Sequence, residues 1–450
     1  MCAAEWNERS VAHMLRRVGF GATPEEIKFY LDMGQARAID YILNYESIDD
    51  SEVDRQIAAA NLDLTKTSDL ILWWVLRMIF TKRPLQEKMV FFWHDHFATA
   101  IFKVKEQELM LQQNQLFRKF ALGNFQDFLL AVSQDPAMII WLDNFTNKKG
   151  QPNENYAREL NELFSMGVGN YTEMDVKEAA RAFTGWSINR RTKEFQFETN
   201  QHDFGTKTFL GETGPFNGDD IVRIISGKPA TAQFISKKLF EFFAFQNPKQ
   251  STIDNLANIY LTSRFSIKAV MQAILTSDEF FSEKAFNSIV KSPTEYVVGT
   301  LKMLKATIDT RGKAGDILNS LSIQGQTLFN PPSVSGWDGG IEWINTSTLL
   351  NRFNFANTLS SNRMTRGATI DPKALLSNSK ATKSKDVVDF FLKQLGLFDV
   401  DVLSNKTLKK YLDQNDDGSK GKFTLTDANI DKKVRGLIHL IITLPDYQLN

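Results

Sequence analysis

Two histidines flank an aspartate, His94, Asp95 and His96, inside the strongly apolar stretch FFWHDHFATA. Imidazole and carboxylate groups bind divalent cations and carry protons in catalysis. In a regular helix, residues two apart point about 200° away from each other, so His94 and His96 cannot both face one ion unless the helix ends there. The triplet therefore predicts either part of a metal site or a pair of core histidines held by hydrogen bonds.

A second polar group follows in the stretch NENYARELNEL. Helical spacing puts Asn155, Glu159 and Glu162 on one face, beside an apolar stripe. Arg158 is four residues from both Glu154 and Glu162, so these charges could simply stabilise the helix surface. Close to buried histidines, however, Glu159 or Glu162 would be suited to act as a metal ligand, a general base or a residue that orients a ligand.

A further His–Asp pair, His202 and Asp203, precedes Lys207 in the stretch NQHDFGTKTFLG. The pair is typical of a metal or catalytic site, but an aspartate in a turn also caps its own backbone. Both interpretations stay open at this stage.

An acidic stretch, DQNDDGSKGKFTLTD, resembles a calcium-binding loop through Asp413, Asn415, Asp417 and Gly418. Such a loop needs a bidentate glutamate at its twelfth position, where this chain has Thr424. The sequence therefore favours a polar surface loop and keeps calcium as a weaker prediction.

Composition limits the classes of function. The chain has 450 residues, with 53 basic and 53 acidic side chains, so it lacks the positive charge that non-specific nucleic-acid binding requires. The most apolar window is shorter than a membrane span and contains Arg77, so no transmembrane helix is predicted. A single cysteine excludes an intramolecular disulfide and a cysteine-based zinc site.

The elements that must position these residues are mainly helices. Apolar periodicity predicts a multi-helix assembly, and alternation in EFQFE predicts one inserted β-hairpin. Three parts that pack as one unit are expected: a helical part over 1–186, the hairpin over 187–216 and a second helical part over 217–450. The stretch LFNPPSVSGWDGGIEWIN, rich in glycine, proline and tryptophan, predicts a long ordered loop. Its tryptophans could form ligand walls or core.

Helix starts can be located from capping signals. Thr23 with Glu26, and Thr172 with Asp175, have the spacing of a capping box. The second box follows a glycine-containing break after NENYARELNEL, so two helices joined by a short turn are expected there.

Five motifs in order resemble one large bacterial family: HMLRRVGFGAT, KRPLQEKMVFFWHDHFAT, the long block containing NENYAREL, HDFGTKTFLG and LFNPPSVSGWDGGIEWIN. This is the family catalogued as domain of unknown function 1800, and the likeness covers nearly the whole chain. The resemblance implies a mainly helical bacterial protein with no established activity. It also implies a periplasmic or secreted protein, often encoded beside a phosphatase- or sulfatase-like protein. No signal peptide is visible in MCAAEWNERS, so a cytoplasmic location is the alternative.

The leading hypothesis is a metal-assisted hydrolase that acts on a polar or anionic substrate, such as a glycan or an ester. Its expected divalent-metal ligands are His94, Asp95, His96 and His202. The expected catalytic residues are Glu159 as base, Arg158 and Asp203. Residues expected to bind substrate are Asn155, Lys207, Trp337 and His13.

Two other hypotheses remain. The His94–Asp95 pair in a helical protein weakly resembles the HD-type phosphohydrolases. In a different class, the chain would be a non-enzymatic binding or scaffold protein that partners the phosphatase- or sulfatase-like protein, with its polar cluster serving as a structural hydrogen-bond network.

Overall fold

A computed structural model of the protein describes residues 5–377, 379–415 and 417–450. The described chain is mainly α-helical, with small antiparallel two-stranded sheets, as the sequence predicts. No helix within these ranges is both long enough and apolar enough to span a bilayer. The fold class is therefore confirmed.

The first third of the chain is helical. Thr23 Oγ1 accepts a hydrogen bond from Glu26 N, and Thr23 N donates the reciprocal bond to Glu26 Oε2, so the predicted capping box is formed. The helices of this part are α1 (Glu8–Arg17), α2 (Pro24–Met33), α3 (Gln35–Leu43), α4 (Ser51–Ala60), α5 (Thr67–Phe80), α6 (Pro84–His96), α7 (Ile101–Val104), α8 (Gln107–Lys119), α9 (Phe125–Ser133) and α10 (Pro136–Trp141).

The predicted helix pair is present as α11 (Asn155–Glu162) and α12 (Glu173–Ala182). The capping box of Thr172 and Asp175 begins α12, as the sequence predicts. The helix α11 ends at Glu162, earlier than the apolar stripe indicates, and the chain then turns through Gly167 with φ of 77°.

The single hairpin predicted over 187–216 is wrong in number, because that segment forms two hairpins. Strand β1 (Trp186–Ile188) pairs with β2 (Phe195–Phe197), and β3 (Lys207–Phe209) pairs with β4 (Glu212–Gly214). The second turn uses Leu210 and Gly211, both with positive φ, which is the backbone of a tight two-residue hairpin. A further pair joins β5 (Thr307–Ile308) to β6 (Ala368–Thr369), two segments distant in sequence.

The rest of the chain returns to helix. Its helices are α13 (Gly218–Ser226), α14 (Pro229–Phe243), α15 (Gln250–Thr262), α16 (Ile267–Leu275), α17 (Pro293–Met303), α18 (Gly315–Ile323), α19 (Thr346–Ser360), α20 (Pro372–Leu376), α21 (Ser384–Gln394), α22 (Val402–Asp413), α23 (Asp427–Asn429) and α24 (Arg435–Ile442). A π-helical turn, Ile430–Val434, joins the last two.

One cluster of buried apolar side chains runs from Val11 to Tyr447 and includes members from every third of the sequence. Helices α5 and α6 lie within it, because most residues of both are buried. Polar groups on α6 must therefore find partners inside the protein. The boundaries predicted for three parts of the chain stay a prediction.

Candidate active site

Helix α6 carries the His–Asp–His triplet and ends at His96. His94 is buried, and its Nε2 accepts a hydrogen bond from Phe329 N at 3.0 Å. The imidazole lies near the rings of Trp74 and Trp337, with centroid distances of 5.1 and 5.7 Å. Burial lowers the pKa of His94 to about 3. It is therefore a neutral histidine whose Nε2 holds the backbone at the start of the loop over 328–345, called the glycine-rich loop below.

His96 points to a different set of neighbours. Its Nε2 lies 3.1 Å from Phe164 O and its Nδ1 lies 3.3 Å from Lys238 Nζ. A carbonyl oxygen can only accept, so we assign the proton to Nε2 and the lone pair to Nδ1. Burial lowers the pKa of His96 well below its ordinary value, and the charge of Lys238 adds to that effect. Both ring nitrogens are thus engaged within the protein.

Asp95 lies between the two histidines and faces a cleft. Its Oδ1 accepts a hydrogen bond from Trp337 N at 2.8 Å. Burial raises the pKa of Asp95 to about 6; the bond from Trp337 and the charge of Lys238 oppose that rise, whereas the charge of Asp338 adds to it. Asp95 is thus a carboxyl group that can exchange a proton near neutral pH.

The cleft has a volume of about 540 Å³. Its walls come from the C-terminal parts of α6 and α14, the segment 288–295 and the glycine-rich loop. Charged, polar and aromatic side chains all contribute to the lining, among them Asp95, His96, Lys238, Glu241, Phe242, Glu295, Trp337, Asp338 and Trp343. A concave site with a few convergent polar groups and aromatic walls is the usual form of a small-ligand site.

The glycine-rich loop is ordered and irregular, as predicted, apart from a 3₁₀ turn over Gly340–Trp343. Gly336 has φ of 83°, and a Cβ at this position would overlap the Asp95 carboxyl group. Glycine is therefore needed both for the backbone conformation and for the close approach to α6. This approach allows Trp337 N to reach Asp95.

Lys238 and Glu241 lie on α14 one turn apart, outside the motifs that predict site residues. Burial lowers the pKa of Lys238, while Asp95 and Glu241 oppose the change. A signal was present in the sequence: Lys238 falls three residues after Ile235 and seven after Thr231, which are both buried on the inner face of α14. A lysine at such a position of an amphipathic helix is typical of a site or a buried ion pair.

The NENYAREL residues lie outside the lining of the cleft. Arg158 is paired with Glu154 at 3.2 Å, which is one of the pairs that helical spacing allows, and with Glu173 of α12 at 2.8 Å. Glu159 is half-buried, and burial together with the charge of Glu162 raises its pKa. The side chain of Asn155 is exposed at the start of α11.

His202, Asp203 and Lys207 form a separate cluster beside α12. His202 Nδ1 donates to Thr184 O at 2.8 Å, and Asp203 accepts from Arg181 Nε at 2.8 Å. Lys207 is buried and donates to the carbonyl oxygens of Gly205 and Asp203. These contacts hold the turn that precedes the second hairpin.

His13 is buried in α1 and donates through Nε2 to Phe280 O at 2.9 Å. Its ring stacks on Phe286, with centroids 4.3 Å apart. It does not line the cleft, whereas Asp95, His96 and Trp337 do. Three of the predicted site residues thus lie together at the cleft. The others lie on α11, at the turn before the second hairpin, or in the buried core.

The acidic stretch near the chain's end is a hydrogen-bonded surface loop. Asp413 accepts from Phe423 N at 3.0 Å and from Ser384 Oγ at 2.9 Å. Asp417 accepts from Ser419 N at 2.9 Å, and Asn415 N donates to Ser419 O at 2.8 Å. Calcium binding through Asp413, Asn415 and Asp417 stays a prediction.

No three histidine, cysteine, aspartate or glutamate side chains of the described ranges are grouped as ligands for a metal ion. The divalent-metal site with His94, Asp95, His96 and His202 remains a prediction. The geometry gives each imidazole another role: His94 and His202 bind backbone atoms of other segments, and His96 bridges Phe164 O and Lys238.

Comparison with known proteins identifies one family. The family model described as "Protein of unknown function (DUF1800)" matches residues 13–449. Neither the curated proteins nor the solved structures include a significant match.

Proposed function

Since the chain belongs to the DUF1800 family, whose description assigns no function, we propose from the geometry of the cleft that it hydrolyses a glycan. The observation that carries this proposal is the position of Asp95. It is a largely buried carboxyl group with a pKa of about 6, placed on the wall of a cleft that also contains two tryptophans.

The carboxyl group of Asp95 is suited to general acid catalysis. Its Oδ1 is held by Trp337 N, and Oδ2 receives no hydrogen bond from the described residues, so one oxygen stays available to a ligand. In the proposed reaction Asp95 gives its proton to the oxygen of the bond that breaks. A second carboxylate of the cleft, Glu241 or Asp338, takes a proton from the attacking water, and water is thereby divided between the two products.

The walls of the cleft favour a sugar over an anion. Trp337 and Trp343 both line it, and indole faces pack well against the apolar faces of sugar rings. Carboxylates outnumber cations among the lining residues, and this charge disfavours a phosphate or sulfate group. Glycan is therefore the part of the predicted substrate class that we propose.

A metal-assisted form of the same reaction uses Asp95 and His96 as ligands in the cleft. His96 would have to exchange its bond with Lys238 for a metal bond, because its Nδ1 carries the available lone pair. Elemental analysis of the purified protein tests this form. Bound metal that is lost with chelator, together with a lower melting temperature, would support it; full hydrolysis by metal-free protein would exclude it.

The decisive experiment measures hydrolysis of a panel of oligosaccharides by the parent protein and by Asp95→Asn. We expect Asp95→Asn to lower the rate by about 100-fold or more, as loss of a general acid does. The parent rate should fall as pH rises through about 6, because Asp95 then loses the proton that it must donate. Glu342→Gln, which removes an exposed carboxylate of the same loop outside the cleft lining, is the matched control. A rate that survives Asp95→Asn would contradict the proposal.

A second candidate function is non-enzymatic binding, with a phosphatase- or sulfatase-like protein as the partner. The hydrogen bonds of the histidines favour this candidate, because His13, His94 and His96 all bind backbone atoms of distant segments, as members of a structural network would. On this candidate His94→Ala destabilises the protein, because Phe329 N is left buried without an acceptor, and no oligosaccharide is hydrolysed. Co-purification of that partner with the parent protein, without hydrolysis of any panel member, would favour binding over catalysis.

A further inference from the structure

The charged groups of the cleft are unevenly matched. Glu295 forms a buried ion pair with Lys88. Lys238 is the lysine among the residues that line the cleft, and its charge interacts with those of Asp95 and Glu241. Among the described residues, Asp95, Glu241 and Asp338 form no ion pair within 4.0 Å. The cleft therefore contains three carboxyl groups that lack a direct cationic partner and one ammonium group shared between two of them.

The three carboxyl groups are placed at different depths. Asp95 is largely buried at the end of α6, and Glu241 is half-buried on α14, where its Oε1 accepts from Asn247 N at 3.2 Å. Asp338 is exposed on the glycine-rich loop and accepts no hydrogen bond from the described chain. A positively charged ligand group that enters the cleft meets Asp338 first and then the deeper carboxyl groups.

Aromatic faces surround the same space. Trp337 precedes Asp338 directly in the chain, and Trp343 lies in the same loop. The other aromatic residues of the lining are Phe91, Phe92 and Phe242. The negative face of an indole ring attracts ammonium groups, most strongly where water is excluded. Acidic side chains and tryptophan faces are together the chemistry that recognises an amine.

We propose that the cleft selects glycans that carry a protonated amine, with Asp338 as the residue that determines this specificity. The inference rests on the proposed glycan hydrolysis and names the substrate class for that site. An amino sugar supplies a ring face for Trp337 or Trp343 and an ammonium group for Asp338. N-acetylation and replacement by hydroxyl both remove the positive charge, and each leaves a neutral hydrogen-bond donor.

The test uses three tetrasaccharides that differ at one position of each ring: glucosamine, N-acetylglucosamine and glucose, all β-1,4-linked. Binding to the full chain is measured by calorimetry at pH 6 and pH 7. We expect the glucosamine tetramer to bind about tenfold more tightly than the other two, the ratio for one charge-assisted contact. The preference should weaken as salt is added, since Asp338 is exposed.

Asp338→Asn keeps the shape of the side chain and removes its charge. We expect it to abolish the preference for the glucosamine tetramer, while Glu342→Gln on the same loop keeps it. Unchanged folding is checked by the melting temperature, which an exposed side chain without described partners should not affect.

Equal binding of the three tetramers, or a preference that survives Asp338→Asn, would overturn the amine specificity. In that case hydrolysis that still depends on Asp95 would leave the proposed function standing. If none of the tetramers binds, the amine specificity is overturned, and hydrolysis of the oligosaccharide panel by the parent and by Asp95→Asn decides the proposed function separately.

Discussion

Helix α6 carries one fully buried and one largely buried carboxyl group, and the two are in opposite situations. Glu87 lies in its first turn and is fully buried; it accepts from Trp74 Nε1 at 3.1 Å and is paired with Arg77 and Arg118. Burial alone would raise the pKa of Glu87, but the two guanidinium groups outweigh it and lower the pKa to about 2. Asp95, eight residues later, has one hydrogen bond and a pKa of about 6.

The difference teaches that the surroundings decide what a buried carboxyl group does. Glu87 has a hydrogen-bond donor or cation for each of its oxygens and stays ionised, so it can only hold helices together. Asp95 keeps one oxygen without a described partner, and its ionised form is disfavoured by burial. A carboxyl group with a free oxygen is typical of a functional site. Such a group lowers the stability of the protein but can bind a ligand or transfer a proton.

The largest effect is expected from Glu87→Gln. Removing one partner of a buried ion pair leaves guanidinium charges without compensation, and we expect the free energy of unfolding to fall by about 3–5 kcal/mol. Urea unfolding at pH 7 measures this. The parent should itself lose the same contribution as pH falls from about 4.5 to about 2, because the pKa of Glu87 is lowered in the folded state.

Glu108→Gln is the matched control for that prediction. Glu108 also faces a cation, Lys193 at 3.4 Å, but its side chain is 76% exposed. We expect a change below about 0.5 kcal/mol. Equal losses for the two variants would contradict the distinction between a buried network and a surface pair.

Asp95→Asn should raise the free energy of unfolding, whereas Glu87→Gln lowers it. The folded-state pKa of Asp95 is raised to about 6 from 3.8, so the parent is penalised progressively as pH rises through about 6 and not at all below about 4. Asparagine keeps the acceptor for Trp337 N without the charge. We expect the variant to be more stable than the parent by on the order of 2 kcal/mol at pH 8 and equal to it at pH 4. A stability gain that does not change between pH 4 and pH 8 would contradict burial of an ionisable Asp95.

Much of the fold follows from local sequence signals. The boxes at Thr23 and Thr172 involve hydrogen bonds over three residues, so their spacing is sufficient to locate α2 and α12. The separation of His94 from His96 follows equally from helix geometry. The hairpin count was wrong because β1 pairs with β2 across a six-residue turn, and nothing in EFQFE specifies which neighbouring segment becomes its partner.

The site depends on tertiary contacts that spacing does not specify. Asp95 meets Trp337 across 242 positions of the chain, and His96 meets Lys238 across 142. The sequence indicated Asp95, His96 and Trp337 by residue type and by family resemblance. It did not indicate that α14, rather than α11, would face them. Glu159 and Lys238 both lie on amphipathic helices, and only the packing of those helices decides which one reaches the cleft.

The smallest effect is expected at Arg158, which has two carboxylate partners, as Glu87 has two guanidinium partners, but on the surface. Its side chain is 35% exposed and that of Glu173 is 69% exposed, so solvent and salt screen both ion pairs. We expect Arg158→Gln to lower the free energy of unfolding by less than about 1 kcal/mol, and the difference should vanish in about 1 M NaCl. Oligosaccharide hydrolysis by the variant should equal that of the parent. A lower rate with unchanged stability would instead show that Arg158 acts on the substrate, and the site would then have to extend from the cleft to α11.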